Sequence, residues 1–456
     1  MVMNPALESV VVLVVVLCIA RFIKRGSNVL QKFFIPSALV AGVMGLVMGP
    51  QVLGTITPEI TGYWAAWPKY LISVVFAGLF LGKVIPGRKE IWRVAGPQIA
   101  FGNTLAWGQY VIGILLTLLV LGPVFGVNKL AGALIEVSFE GGHGTAAGLA
   151  PTFQKLGWEQ GTDIALTLAT FSIVAAILLG VLIVNIHSRK GGSNYVDPEE
   201  QAKQRRQMIR SGYNLVTFGK KLNTNPKAVI INICAFAAAI GIGILLQKGL
   251  ISAEEFLLAP YTDLRFFPYL PLFPLAMLGG LILQMMLRKA GQQTLIQRRT
   301  AEIISTIALD VLIVSAIATV SLKAVGDNLP TIIIFSIAGT AWILFGFLVL
   351  APRMFPSFWY EKGLTNMGQS MGMTATGLLL GRLADPNNHS KARESFGYKQ
   401  LVFEPFMGGG IVTASAVIFI YEFGQVPVLI ACTAIFLFWL WLGFFLARPK
   451  ANNKPN

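Results

Sequence analysis

Apolar residues recur along this chain in runs close to the ~20 positions that a helix needs to cross a bilayer. One set lies at about 7–23, 36–53, 63–82, 96–121 and 162–186, a second at about 228–247, 267–287, 301–322, 331–350, 402–422 and 426–446. Two further apolar stretches, 130–153 and 363–381, are interrupted by Gly, Thr and Asn. They read poorly as full crossings, and we expect both to be re-entrant hairpins that enter and leave on one side. The one long polar connection, 186–227, holds nine cations with Asp197, Glu199 and Glu200 and divides the chain nearly in half. We expect it to be a basic, solvated cytoplasmic linker. The pattern predicts an all-α integral membrane protein with eleven spans.

Composition supports that class. Of 456 residues, 55% are hydrophobic and 12% charged, against roughly 25% charged in soluble domains. A net charge of +15 gathered on one soluble face would suit nucleic acid, but here the cations sit in short connections, where they set orientation. With the N-terminus outside and neither hairpin crossing, the inward segments are 21–35, 82–94, 186–227, 288–300, 351–400 and 447–456. These hold 30 of the 36 Lys and Arg residues. The asymmetry predicts a periplasmic N-terminus and a cytoplasmic C-terminus, with the lipid bilayer and not nucleic acid as the large partner. The first run is followed by Arg21, Lys24 and Arg25 with no cation before it, the reverse of a cleaved signal, so it is expected to be retained. Cys18, Cys234 and Cys432 lie in apolar runs without paired spacing and read as packing residues. Tyr63, Trp64, Trp67, Trp439 and Trp441 look like interfacial belt residues.

Each half can be written as four spans, a hairpin and a fifth span. An odd number of crossings turns the second copy upside down, the inverted-repeat plan of many secondary transporters, with 426–446 as an extra C-terminal helix. The units are then 1–185, the linker 186–227 and 228–456. Thr145-Ala146-Ala147-Gly148-Leu149 matches Thr374-Ala375-Thr376-Gly377-Leu378 at an offset of 229 residues, in the two interrupted stretches themselves. At that offset Glu140, Gly141 and His143 fall opposite Gln369, Ser370 and Gly372.

The first stretch carries Gly141-Gly142-His143-Gly144-Thr145. In this position and two-halved layout it resembles the bacterial sodium/glutamate symporters, the GltS-type family, whose members carry glycine-rich vertices in two oppositely oriented re-entrant loops. The resemblance implies Na⁺-coupled uptake of glutamate across the inner membrane, by a homodimer with an elevator-like moving domain and no cofactor beyond the coupling ion. Two departures stand out. The first vertex ends in Thr145 rather than a second glycine pair, and the second, Asn366-Met367-Gly368-Gln369-Ser370-Met371-Gly372, has no paired glycines.

The residues themselves point to an anion and a small cation. Amides around Gly141, Gly142, His143, Gly144 and Thr145, and around Gly372 and Thr374, suit a substrate carboxylate, as half-helix termini do in other transporters. The bland reading of these glycines is close helix packing. Asn366, Gln369 and Ser370 offer oxygens to Na⁺. Asp310, deep inside 301–322, is a functional candidate by default: it would hold a substrate ammonium, coordinate Na⁺ or carry a proton, or else pair structurally with a lysine or backbone group. His143 would titrate during the cycle or simply be hydrogen-bonded. Glu140 would neutralise a cation, cap amides or simply sit at the interface, Asn103 would line the same cavity or, as we favour, bond a neighbouring helix, and Glu404 would open the span 402–422 where the helix dipole favours it.

Alternatives within the class are proton coupling and a dicarboxylate or sulfur-containing organic anion as cargo. A passive anion channel would place rings of charge or carbonyls around a symmetric axis. An enzyme is disfavoured: there is no soluble catalytic domain, no His-x-x-x-His pair, and the three histidines are His143, His187 and His389. No Gly-x-x-x-x-Gly-Lys phosphate loop is present, which disfavours a single-chain ATP-driven pump.

Overall fold

Eight of the eleven apolar runs fold as single helices long and apolar enough to cross a membrane. The computed structural model describes residues 4–189, 226–258, 260–262 and 265–448, and the expected linker lies outside the described residues over 190–225. The helices are α1 (Pro5–Gly26), α2 (Ser37–Met48), α3 (Pro58–Ala66), α4 (Pro68–Ala77), α5 (Arg88–Leu116), α6 (Leu134–Phe139), α7 (Gly142–Gly148), α8 (Ala150–Lys155) and α9 (Gln160–Arg189). After the linker come α10 (Pro226–Leu257), α11 (Leu272–Lys289), α12 (Arg298–Ala318), α13 (Leu329–Phe345), α14 (Trp359–Ser370), α15 (Thr374–Ala384), α16 (Ala392–Phe403), α17 (Ile411–Phe423) and α18 (Gln425–Ala447).

Three runs depart from the expected full-length helix, each for a local reason. The run 36–53 yields only α2, which stops at Gly49, just before Pro50. The run 63–82 is divided at Trp67, because Pro68 has no amide to continue the ladder, giving α3 and α4. The run 402–422 is the end of α16, a turn with Gly408 and Gly409 at φ +66° and +101°, and then α17. Much of 382–400, expected as polar cytoplasmic chain, is therefore α16, whose Lys399 is completely buried. Trp64 also moves from the expected belt to the core, where its indole Nε1 donates to the Ser9 carbonyl at 3.0 Å.

Two helices widen before proline. α5 runs through a π turn at Thr117–Leu121 into Gly122–Phe125, and α13 through a π turn at Gly346–Leu350 into Ala351–Met354. Pro123 and Pro352 each lack an amide and crowd the carbonyl one turn back, and a π turn accommodates this with one extra residue.

The helices sort into two bundles, each drawing on both halves of the chain. α1–α4 pack with α10–α12; α5–α9 pack with α13–α18. The bundles meet where α4 and α12 lie against α7. Within the first bundle, small residues let backbones touch, the usual device where lipid offers no hydrophobic drive between helices. A Cβ on Gly243 of α10 would come within 2.7 Å of the Ala276 nitrogen of α11, and one on Gly279 would collide with the Ala239 carbonyl. The chain beyond α4 unwinds, and Arg298 of α12 collects its carbonyls: Nη1 donates to Gly78, Leu79 and Leu81 at 2.9–3.1 Å.

Gly279→Leu should separate α10 from α11 and destabilise the protein by about 1–3 kcal/mol, the usual cost of overpacking. Gly241→Leu, on the same α10 but with nothing near its Cβ, should leave the midpoint of thermal unfolding in detergent nearly unchanged.

Candidate functional site

Both interrupted stretches fold as a helix, a break and a second helix, and the two breaks meet. In the first, α6 gives way at Glu140 and Gly141 to α7. Gly142 takes φ +68°, open to glycine but strained for other residues. In the second, α14 ends at Ser370 and α15 begins at Thr374. α14 and α15 run antiparallel, with Gly368 against Gly377 and the Thr365 side chain against Gly381. A Cβ on Gly142 would lie 2.9 Å from the carbonyl oxygen of Gly372, so the backbones of the two vertices are in contact. Each also carries a threonine one turn on: Thr145 donates to the Gly141 carbonyl at 3.0 Å, and the Thr376 hydroxyl crowds the Cα of Gly372.

Buried polar side chains surround this crossing. Lys399 of α16 is wholly buried and donates to Gln369 Oε1. Its Nζ sits 3.7 Å above the Phe403 ring, and it presses on Gly102 of α5 beside Asn366 Oδ1. The carboxylates of Glu140 and Glu404 act on its charge. Glu404 accepts from Thr374 at 3.0 Å and from Gln400 at 3.1 Å, and Lys83 lies 3.8 Å away. Asn366 donates to Gln98 Oε1 at 3.1 Å, and Gln109 donates to the Ser370 carbonyl at 2.8 Å. Glu136 accepts from Tyr110 at 2.5 Å, Thr413 at 2.8 Å and the Gly408 amide at 3.2 Å. Neither Glu140 oxygen, nor Asn366 Oδ1, nor Ser370 Oγ has a well-formed hydrogen bond among the described residues; Ser370 Oγ faces Glu140 without the right geometry. Four uncommitted buried oxygens near the two vertices make a place suited to a hard cation.

The structure gathers Gly141, Gly142, Gly144, Thr145, Gly372, Thr374, Asn366, Gln369 and Ser370 around this crossing. His143 lies one step away, its Nε2 2.9 Å from Thr170 Oγ1. The Thr170 hydroxyl itself donates to the Leu166 carbonyl, so its oxygen is left to accept from Nε2–H. Asp310 is not brought to the cluster: it pairs with Arg21 of α1 at 3.3 Å, with Lys24 also acting on it. Asn103 bonds the Ile99 carbonyl of its own helix rather than a neighbouring one. Glu404 follows the C-terminal end of α16, where the dipole opposes a carboxylate; Thr374, Gln400 and Lys83 hold it instead.

Sequence reasoning missed Lys399, Gln98, Gln109, Glu136 and the glycines 408–410. A signal existed for the lysine. Phe396, Lys399 and Phe403 fall on one helical face, all buried, so the cation stands in an apolar stripe. The glycine run inside 402–422 was likewise visible as a break. Residues 368–372 also spell Gly-x-Ser-x-Gly, but Ser370 ends a helix, and no histidine is hydrogen-bonded to it among the described residues. This is not the strand-to-helix elbow of a hydrolase.

Comparison with known proteins gives a consistent result. The sequence model of the family described as "Sodium/glutamate symporter" matches residues 3–358. The chain is 28% identical over 197 residues to a protein named sodium/glutamate symporter from Haemophilus influenzae, a match covering 41% of this chain and 46% of that one. It is 27% identical over 176 residues to a protein of the same name from Escherichia coli, covering 38% and 42% respectively. The chain thus spans less than half the length of the curated relatives it matches.

Gly142→Ala would force an L-residue into the left-handed region, at about 1–2 kcal/mol, and push against Gly372. Gly144→Ala meets the side-chain tips of Ile72 at 3.1 Å and Leu309 at 3.9 Å. Unfolding midpoints in detergent should fall clearly for the first and little for the second.

Proposed function

The chain belongs to the sodium/glutamate symporter family, and on that footing we propose that it is a secondary active symporter of the bacterial inner membrane, carrying L-glutamate inward with Na⁺. The observation that carries this reading is the contact between two broken vertices, Gly142 against Gly372, inside a cluster of uncommitted buried oxygens. Irregular backbone at membrane depth persists where it lines a binding cavity or is buried in protein. The substrate carboxylates would be taken by the amides and hydroxyls of Gly141, Gly142, His143, Gly144 and Thr145 and of Gly372 and Thr374. Na⁺ would be taken by oxygens of Asn366, Gln369 and Ser370 with Glu140. Asp310 we assign to the ion pair with Arg21 instead.

Several features support an inverted repeat with two re-entrant hairpins and a further helix α18. The two π turns lie 229 residues apart, at Thr117–Leu121 and Gly346–Leu350. That is also the offset between the Thr-Ala-x-Gly-Leu segments of the hairpins. The corresponding helices of each half also join the same bundle. Counting the three shorter or broken runs as crossings beside the eight long helices keeps eleven, and the cation asymmetry then favours an outer N-terminus and an inner C-terminus. In this reading the bundle of α1–α4 and α10–α12 stays fixed and supports a homodimer, while the bundle holding both vertices moves as an elevator.

Uptake of radiolabelled L-glutamate into proteoliposomes should saturate and require an inward Na⁺ gradient. Thr374→Val, which removes the hydroxyl between Gln400 and Glu404, should lower uptake at least tenfold. Asp310→Asn should lower thermal stability yet keep Na⁺-dependent uptake. If folded protein takes up nothing under either gradient, glutamate is the wrong cargo, and another organic anion becomes the substrate to try.

A further inference from the structure

Among the described residues the buried carboxylates are Glu136, Glu140, Glu254, Asp385 and Glu404. All but one are answered within the fold. Glu136 accepts from Tyr110, Thr413 and the Gly408 amide, and Glu254 from the amides of Phe266 and Phe267. Asp385 accepts from Ser390 and the His389 amide, and Glu404 from Thr374 and Gln400, with Lys83 3.8 Å away. Glu140 is the exception. Neither of its oxygens has a hydrogen-bond partner, and no cation stands within ion-pair distance of it among the described residues.

Lys399 is its complement. An ammonium carries three donors, and this one makes a single side-chain hydrogen bond, to Gln369 Oε1. It is wholly buried and fixed in place: a Cβ on Gly102 would strike its Cε, and the Phe403 ring lies 3.7 Å from its Nζ. No carboxylate reaches ion-pair distance of Lys399 among the described residues, although its charge and that of Glu140 act on each other across the crossing. A cation with spare donors and an anion with spare acceptors thus face one place without touching. Either one, buried and unpaired, is strongly destabilising. Na⁺ would answer Glu140 alone. A ligand carrying an anion and a cation side by side would answer both.

We propose that Glu140 and Lys399 recognise the two charges common to every α-amino acid: Glu140 takes the ammonium of the substrate and Lys399 takes its α-carboxylate. This rests on reading the two vertices as the transport site, and it adds the part of the cargo that they leave unassigned. The side-chain carboxylate of an acidic amino acid stays with the amides and hydroxyls of the vertices. A carboxylate has two oxygens, so Glu140 meets the ammonium with one and Na⁺ with the other, beside Asn366, Gln369 and Ser370. A dicarboxylate without an amino group would leave Glu140 unanswered, and a site whose buried polar group is left unpaired rejects such an analogue strongly. Amino acids are thereby selected over simple dicarboxylates.

Three probes separate the charges: L-glutamate, glutarate, which lacks the amino group, and 4-aminobutanoate, which lacks the α-carboxylate. Dissociation constants for the purified full-length protein in saturating Na⁺ come from the rise of the unfolding midpoint with ligand concentration. The natural protein should bind L-glutamate about a hundredfold or more tightly than either analogue. Glu140→Gln, which keeps an oxygen for Na⁺, should lose the preference over glutarate and retain that over 4-aminobutanoate. Lys399→Gln should do the reverse. Equal weakening of all three probes in a variant, as a purely structural role would give, overturns the inference. Equal affinity of the natural protein for L-glutamate and glutarate also overturns it, while leaving glutamate as cargo. Binding of glutarate alone, or of none of the three by folded protein, overturns the inference and the glutamate assignment together. Should either variant fail to fold, Glu140→Ser or Lys399→Met replaces it, and the affinities of the natural protein remain decisive against the inference by themselves.

Discussion

Every interruption of a helix leaves backbone groups without their partner one turn away, and the core of a bilayer has no water to supply another. Much of the polar chemistry in this protein answers that constraint. Gln109 donates to the Ser370 carbonyl at one vertex, Glu136 accepts the Gly408 amide, and Gln284 accepts the Gly82 amide. Arg298 takes three carbonyls beyond α4, Asp163 accepts the Ser321 amide, and Glu254 accepts those of Phe266 and Phe267. The few polar residues of an apolar chain are thus committed largely to its breaks. Glu140, Asn366 and Ser370 keep uncommitted oxygens beside a break, which is why they stand out as ligands rather than supports.

This division explains what could be read from the sequence. Helical runs, the two broken stretches and the offset between them follow from local composition, because a helix in lipid must be apolar and its breaks need Gly or Pro. Partnerships across several hundred residues leave no such local trace. Asp310 looked functional because an isolated carboxylate in an apolar run is conspicuous, whereas the arginine that pairs with it, Arg21, looked like an orientation signal at the end of α1. Lys399 was hidden for the opposite reason. Counted among cytoplasmic cations, it belongs to a buried helical face, and a census of charges by segment cannot separate a lysine facing water from one facing Gln369.

The family match ends at residue 358, just before α14, and all of α14 to α18 lies beyond it. That stretch holds the vertex without paired glycines, the buried lysine and the broken helix formed by α16 and α17. α9, by contrast, is a continuous helix of 30 residues.

The embrace between Arg298 and the carbonyls beyond α4 bears on how the protein is made. The carbonyl of Leu81 is synthesised 217 residues before the guanidinium that satisfies it. At ~5–20 residues per second, translation leaves it waiting for roughly 10–45 s. For most of that interval α1–α4 are in the membrane without α10–α12, the other half of their bundle. A nascent chain stalled or truncated after the first half would present an unwound, unsatisfied end to the bilayer. The membrane insertion machinery, or the proteases that survey it, would have a structural mark by which to tell an unfinished molecule from a complete one.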